Sequence, residues 1–209
     1  LYCQHLLGVG HLSRCLNISQ ELVHKNQVHF VQGGVDVGKT IRHKDFLHHF
    51  LSPLIMNEAT NQLFGPDGTL QKIWRKREEQ LQEILQETYD LAIIELYPFG
   101  RTKLKKEVHF IIEKLRNKNP KIQIVCSLRD IVVEKQGWNE RQGKIIAEVK
   151  EHFDRVLVHS DPQLILLDRT FSRAPEIASQ LIYTGFISEP LLRSQPRASR
   201  KQQILVSIG

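Results

Sequence analysis

The residues best suited to chemistry lie in one short turn near the start of the chain. Gly8-Val9-Gly10-His11-Leu12-Ser13-Arg14 leads from an apolar run into a helical period through two glycines, which let backbone N–H groups approach a ligand closely. A helix starting there offers its first amides to an anion, worth roughly 0.3 to 1 kcal/mol for an exposed charge. His11 stands at the start of that helix, where a neutral imidazole can act as a general base. The plain structural alternative is a turn with His11 as a helix-start residue. Gly8 and Gly10, without a third glycine and without an acidic residue closing the next strand, make a weak dinucleotide signal.

Other polar or glycine-rich positions also follow apolar runs. They are Gly33-Gly34, Glu95 through Arg101, Ser127 with Arg129 and Asp130, and His159-Ser160-Asp161. In a parallel sheet such positions border the ligand crevice. Glu95 and Asp130 are therefore the further candidates to accept a proton, and Gly33, Gly34, Arg101 and Arg129 the candidates to meet an acceptor or a phosphate.

A competing motif overlaps one of these positions. Gly33 to Thr40 fits GxxxxGK[ST] behind the apolar run Val28 to Gln32, the pattern of a loop that cradles nucleotide phosphates. Such a loop needs a helix at Gly38-Lys39-Thr40, whereas Ile41 to Phe50 carries scattered apolar positions and soon reaches Pro53. Among the later strand ends only His159-Ser160-Asp161 offers an Asp where a magnesium-binding carboxylate belongs. His48-His49 reads as a loop or surface pair, since adjacent residues do not share a face and no carboxylate stands at metal-ligand spacing. Lys103, Lys105, Lys106, Lys114, Arg116 and Lys118 read as a solvated helix face that could also meet acidic lipid headgroups.

The elements that must position these groups are marked by an alternation of short apolar runs with longer amphipathic segments. Strands are expected at Leu1 to Leu6, Val28 to Gln32, Leu91 to Leu96, Ile122 to Leu128, Val156 to His159 and Leu181 to Thr184. Their near-continuous apolar character suits strands covered on both faces. Helical stripes run through Leu12, Cys15, Leu16, Ser19, Leu22 and Val23, and through Leu70, Ile73, Trp74, Leu81, Ile84 and Leu85. A third joins Leu104, Val108, Ile111, Ile112 and Leu115, and a weaker fourth Ile145, Val149 and Phe153. The fold class expected is α/β, a Rossmann-like parallel sheet with helices on both faces and right-handed crossovers. Gly33 to Asn61 has no clean period and reads as a long connection, ahead of a turn at Pro66-Asp67-Gly68. Residues 1–187 read as this domain, 188–202 as a basic polar linker, and 203–209 as the first strand of a further domain.

Composition narrows the partners. With 209 residues, a net charge of +6 and only 7% aromatics, the chain favours an anionic ligand but carries no nucleic-acid-binding signature. Its apolar runs fall far short of the roughly 18 residues that span a bilayer. No secretory signal opens the chain, whose beginning at Leu1 looks like a cut inside an element. Cys3, Cys15 and Cys126 lack CxxC spacing and lie among apolar neighbours, which points to buried thiols in a reducing cytoplasm rather than to disulfides or a metal framework.

Gln4 to Arg14, Glu95 to Arg101, Cys126 to Ile131, Val158 to Pro162 and Tyr183 to Phe186, taken in this order, together resemble the N-terminal half of a glycosyltransferase family of the GT-B fold, related to the MurG-type transferases. The resemblance covers nearly the whole chain. It implies two Rossmann-like domains facing a cleft, with the acceptor held by the N-terminal one and the nucleotide-sugar by the C-terminal one. On that pattern His11 deprotonates the acceptor hydroxyl, and Gly8, Gly10 and Arg14 face the acceptor or the donor phosphate. The nucleotide-sugar is a substrate, and no cofactor or metal is expected, because a helix N-terminus and basic side chains can stabilise the leaving diphosphate. The expected partners are an acceptor hydroxyl, phosphate- and lipid-linked acceptors included, and a donor domain after Gly209 or on a separate chain. Contact with the inner face of an acidic membrane fits the same pattern. The alternatives are a P-loop nucleotide-binding protein through Gly33 to Thr40, and a non-catalytic binding module.

Overall fold

Among the described residues, the apolar runs of the sequence become strands and the amphipathic stripes become helices laid against them. The structure is a computed structural model that describes residues 1–189 apart from Leu7, Asp67, Lys135 and Gln136. Its elements in chain order are β1 (Tyr2–Cys3), α1 (Gly10–Leu22), β2 (Val28–Gln32), β3 (Phe46–Phe50), β4 (Ile55–Asn57), β5 (Gln62–Phe64) and α2 (Leu70–Ile84). They continue with β6 (Leu91–Glu95), α3 (Lys105–Lys118), β7 (Gln123–Arg129), α4 (Trp138–His152), β8 (Arg155–His159) and β9 (Leu181–Tyr183).

Seven strands form one sheet in the order β3-β2-β1-β6-β7-β8-β9, and every pairing in it is parallel. The fold is α/β and Rossmann-like. From β1 the chain builds outward through β2 to β3, whereas from β6 it builds the other way to β9. The order therefore reverses between β1 and β6, which pair at Tyr2 and Ile94.

The pleat divides the core between the two faces of the sheet. Cys3, Val28 and Phe30 pack with Leu12, Cys15 and Leu16 of α1. Tyr2, Val31, Ile94, Ile124 and Val156 pack with Ile73 and Leu81 of α2, Val108 and Ile112 of α3, and Ile145 and Val149 of α4. The α2 stripe departs from expectation at two places. Leu70 is exposed at the helix start, while Arg77, one turn beyond Ile73, is fully buried.

The supposed long connection from Gly33 to Asn61 instead contains β3 and β4. Among the described residues β3 pairs only with β2, and an edge strand of Phe, Leu and two His needs no continuous apolar run to join the ladder. β4 forms a separate antiparallel hairpin with β5. β1 is also shorter than Leu1 to Leu6, because the chain leaves the ladder after Cys3. Residues 190–209, which include most of the expected linker and all of the expected terminal strand, lie outside the described residues. Among the described residues no helix is long and apolar enough to cross a membrane.

Candidate functional site

In an open parallel sheet the crevice forms beyond the carboxyl ends of the strands, where the strand order reverses. Here that point lies between β1, whose following turn starts α1, and β6, which ends in Glu95. α1 begins at Gly10 with Val9 as its cap residue and no side-chain cap, so its first amides keep their capacity for an anion. Gly8 and Gly10 are exposed, with open space where a Cβ would stand.

The geometry joins two distant segments. His11 Nδ1 bonds to Glu95 Oε1, and Arg14 Nη2 donates to the same oxygen at 3.1 Å. Arg101 brings its Nε to 3.9 Å from Glu95 Oε2. The Glu95 side chain is fully buried, while that of His11 keeps 23% exposure. The turn holding Arg101 departs from ordinary backbone, since Leu96 and Arg101 both adopt positive φ, at 65° and 57°. Such conformations are costly for non-glycine residues and gather at functional sites.

The cluster is polar but not closed. Glu95 Oε2, Arg14 Nε and Arg101 Nε are buried and lack a hydrogen-bond partner among the described residues. Buried polar atoms are nearly always satisfied, and those that are not call for water, ion or ligand. Three such atoms gathered about the end of β6 leave the cluster short of the hydrogen bonds that an ordered water or a ligand supplies.

A second set of polar groups continues along the same rim. Ser127 lies opposite Glu95 in the ladder, and its Oγ is 2.7 Å from His159 Nε2 at the end of β8. His159 Nδ1 is 2.8 Å from Thr184 Oγ1, and Thr184 in turn donates to the Gly185 carbonyl at 3.0 Å. This chain of bonds assigns Nδ1–H as donor to Thr184 and Nε2 as acceptor from Ser127, a neutral imidazole. Burial, then the nearby charge of Arg14, pushes the His159 pKa down to about 4.

The remaining expected residues separate into those that join this site and those that do not. Arg129 and Asp130 pair with each other at 3.5 Å, and among the described residues neither hydrogen-bonds to the Glu95 cluster. Gly33 and Gly34 are buried: a Cβ on Gly33 would meet Gln4 Oε1 at 2.1 Å, and one on Gly34 the His5 carbonyl at 2.4 Å. Close packing against the Gln4 and Arg77 side chains at Gly33, and against the backbone and ring of His5 at Gly34, accounts for both glycines. No helix follows Gly38-Lys39-Thr40, for the chain runs on as loop into β3. Gly38 N bonds back to Asp36 Oδ1 at 2.8 Å, and Lys39 Nζ instead reaches Ser13 of α1 at 3.3 Å. His48 and His49 lie in β3, not in a loop. His48 bonds to Gln32 and Thr40, and His49 to His29.

No family model matches this chain, and no curated protein matches it. Its chemistry therefore rests on the site itself. A histidine held by a buried carboxylate, beside two arginines and an uncapped helix start, can take a proton from a hydroxyl next to a bound phosphate. The Ser127–His159–Thr184 chain is visible in the sequence only as separate polar residues after strands. Joining them requires the register of β7, β8 and β9.

Proposed function

We propose that this chain is the acceptor-side half of a GT-B glycosyltransferase, related to the MurG-type transferases, in which His11 is the general base. The observation that carries the reading is the bond from His11 Nδ1 to buried Glu95 at the point of strand-order reversal. With Nδ1–H donated to the carboxylate, the Nε2 lone pair is left for the acceptor hydroxyl, and Nε2 makes no hydrogen bond among the described residues. As the acceptor oxygen attacks the anomeric carbon, its proton passes to His11 Nε2 and the bond from sugar to diphosphate breaks. Glu95 stabilises the imidazolium that results. Arg14, Arg101 and the first amides of α1 favour the negative charge that develops on the leaving diphosphate, or the phosphate of a phosphate-linked acceptor.

The nucleotide-sugar is assigned to a donor half that completes the cleft. Exposed Lys103, just before α3, and Lys106, in its first turn, provide a cationic surface toward an acidic membrane if the acceptor is lipid-linked. The setting proposed is the cytoplasm or the cytoplasmic face of a membrane. The P-loop alternative gains no support, since its motif lacks the helix that would present its amides to phosphate.

The test is nucleoside diphosphate release from a panel of nucleotide-sugars by the protein carrying its donor half. His11→Ala should lower turnover by about 10² to 10⁴, the usual worth of a positioned base, with an unchanged circular dichroism spectrum. Full turnover in that variant would remove His11 from the base role and leave Glu95 as the next group able to accept the proton.

A further inference from the structure

Outside that site, one cluster gathers three metal-ligating side chains from two helices. His109 comes from α3, and Glu148 and His152 from α4, with one ligand atom of each lying within 4.8 Å of the others. His109 Nε2 is 2.7 Å from Glu148 Oε2, and His152 Nε2 is 3.8 Å from the same oxygen. The two imidazole centroids stand 4.4 Å apart. Spacing i, i+4 places Glu148 and His152 on one face of α4, and the packing of α3 beside α4 brings His109 to meet them. All three side chains are partly buried, with exposures of 31%, 15% and 18% in chain order.

We propose that His109, Glu148 and His152 form a binding site for a divalent transition metal of the zinc class, separate from the Glu95 site and from the transfer chemistry. Two imidazoles and one carboxylate are a donor set that zinc accepts at about 2.0 to 2.2 Å. Tetrahedral ligands at that range stand roughly 3.4 Å apart. The His109–Glu148 contact must therefore open slightly and the His152 approach close slightly, by movements of side-chain ends on fixed helices.

The surroundings fit this use. The Tyr97 hydroxyl donates to Glu148 Oε2 at 2.6 Å and lies 3.0 Å from His109 Nε2, as an outer partner that orients the carboxylate. Lys105 pairs with the other oxygen, Oε1. Its charge opposes a cation, but its side chain is 53% exposed and free to turn into solvent. Three protein ligands leave a fourth position for water, so the site exchanges ligands. It adjoins a cleft of about 630 Å³ lined by Tyr97, Lys105, Arg141, Lys144 and Glu148. The metal would tie α3 to α4 along that cleft.

The test uses the full chain, with zinc competed against a chromophoric chelator near neutral pH and cobalt(II) absorption as a second readout. One equivalent of zinc should bind, with a rise in melting temperature. His109→Ala and His152→Ala should each weaken binding by about 100-fold or more, beyond the loss typical of an outer partner. Both replacements keep a good helix former at a partly exposed position, and Glu148→Gln, which keeps the side-chain shape and one acceptor oxygen but loses the charge, gives a third independent reading. His49→Ala serves as the control, because His49 and His29 form another close imidazole pair, at 3.1 Å. Absence of zinc binding, or zinc affinity that survives His109→Ala and His152→Ala, whether or not it falls with His49→Ala, overturns the proposal.

Discussion

Two carboxylates are buried beside arginines in this molecule, and the difference between them separates scaffold from site. Glu107 on α3 accepts from the Tyr2 hydroxyl and from Arg77, whose Nε donates to Oε2 at 2.8 Å and whose Nη2 donates to Oε1 at 2.7 Å. The rest of the Arg77 guanidinium is also satisfied, by the Ser52 carbonyl at 2.7 Å, the Gly33 carbonyl at 3.0 Å and Gln4 Oε1 at 2.8 Å. Burial, then the charge of Glu107, holds the Tyr2 phenol well above its ordinary pKa, so it stays a neutral donor. Glu95 is buried as deeply, yet one of its oxygens and one nitrogen on each neighbouring arginine have no hydrogen-bond partner among the described residues. A closed network commits its hydrogen bonds to ordering β1, α2 and α3. An open one leaves donors and an acceptor still to be satisfied.

If this comparison holds, Arg77 carries stability and nothing else. Arg77→Ala should cost about 3 to 5 kcal/mol, the penalty for stranding a buried charge, measured by urea unfolding. Replacing Arg77 by Met together with Glu107 by Leu should recover much of that loss, since an apolar pair leaves no uncompensated charge. A loss within about 1 kcal/mol for Arg77→Ala would mean that the network is not closed in solution.

The second expected effect lies in the bonded chain along the same rim as Glu95. His159 titrates near 4 when folded, against an ordinary value of about 6.5. As pH falls below about 6.5 the unfolded chain therefore takes up this proton first, and stability declines until pH reaches about 4, where the folded form is protonated as well. The drop amounts to roughly 3 kcal/mol. His5, His29, His48, His49 and His152 are also lowered by burial and add in the same direction. The His159 share is isolated by following its imidazole proton by NMR, where a midpoint near 6.5 would show the Ser127–His159–Thr184 chain to be open.

The smallest effect concerns binding. Arg14→Ala removes a charge-assisted donor and should weaken binding of inorganic pyrophosphate by about 1.5 to 3 kcal/mol, read by calorimetry. The loss of stability should be well below that of Arg77→Ala, because Arg14 keeps 17% of its side chain exposed and Glu95 retains His11. Pyrophosphate affinity unchanged by the substitution would turn the open cluster into a second scaffold element.

One side of this comparison is legible in the sequence. Gly8 to Arg14, Glu95 and Arg101 are marked by their places after apolar runs, because a ligand crevice at strand ends follows from the parallel α/β pattern alone. The Arg77–Glu107 pair is not legible. Arg77 lies among Arg75, Lys76, Glu78 and Glu79, where charge ordinarily means solvent, and only its place in the Ile73 and Leu81 stripe hints that it turns inward. β3 escapes the sequence pattern for a related reason, since an edge strand containing His48-His49 satisfies its backbone in the ladder without the apolar signature of a central strand.

The sequence by itself determined the central strands, the helices that cover them and the class of fold. Central strands shielded on both faces had to be apolar throughout, and helices covering them had to repeat every 3.6 residues, so both patterns survive in one dimension. Tertiary structure alone decided which polar groups meet. His11 and Glu95 stand 84 residues apart and come together only because β1 and β6 are neighbours where the strand order reverses. His109 reaches Glu148 across 39 residues only because α3 and α4 lie side by side. Strand order and helix packing are settled by the summed burial of many apolar side chains. A local pattern names the candidates, and that global sum chooses their partners.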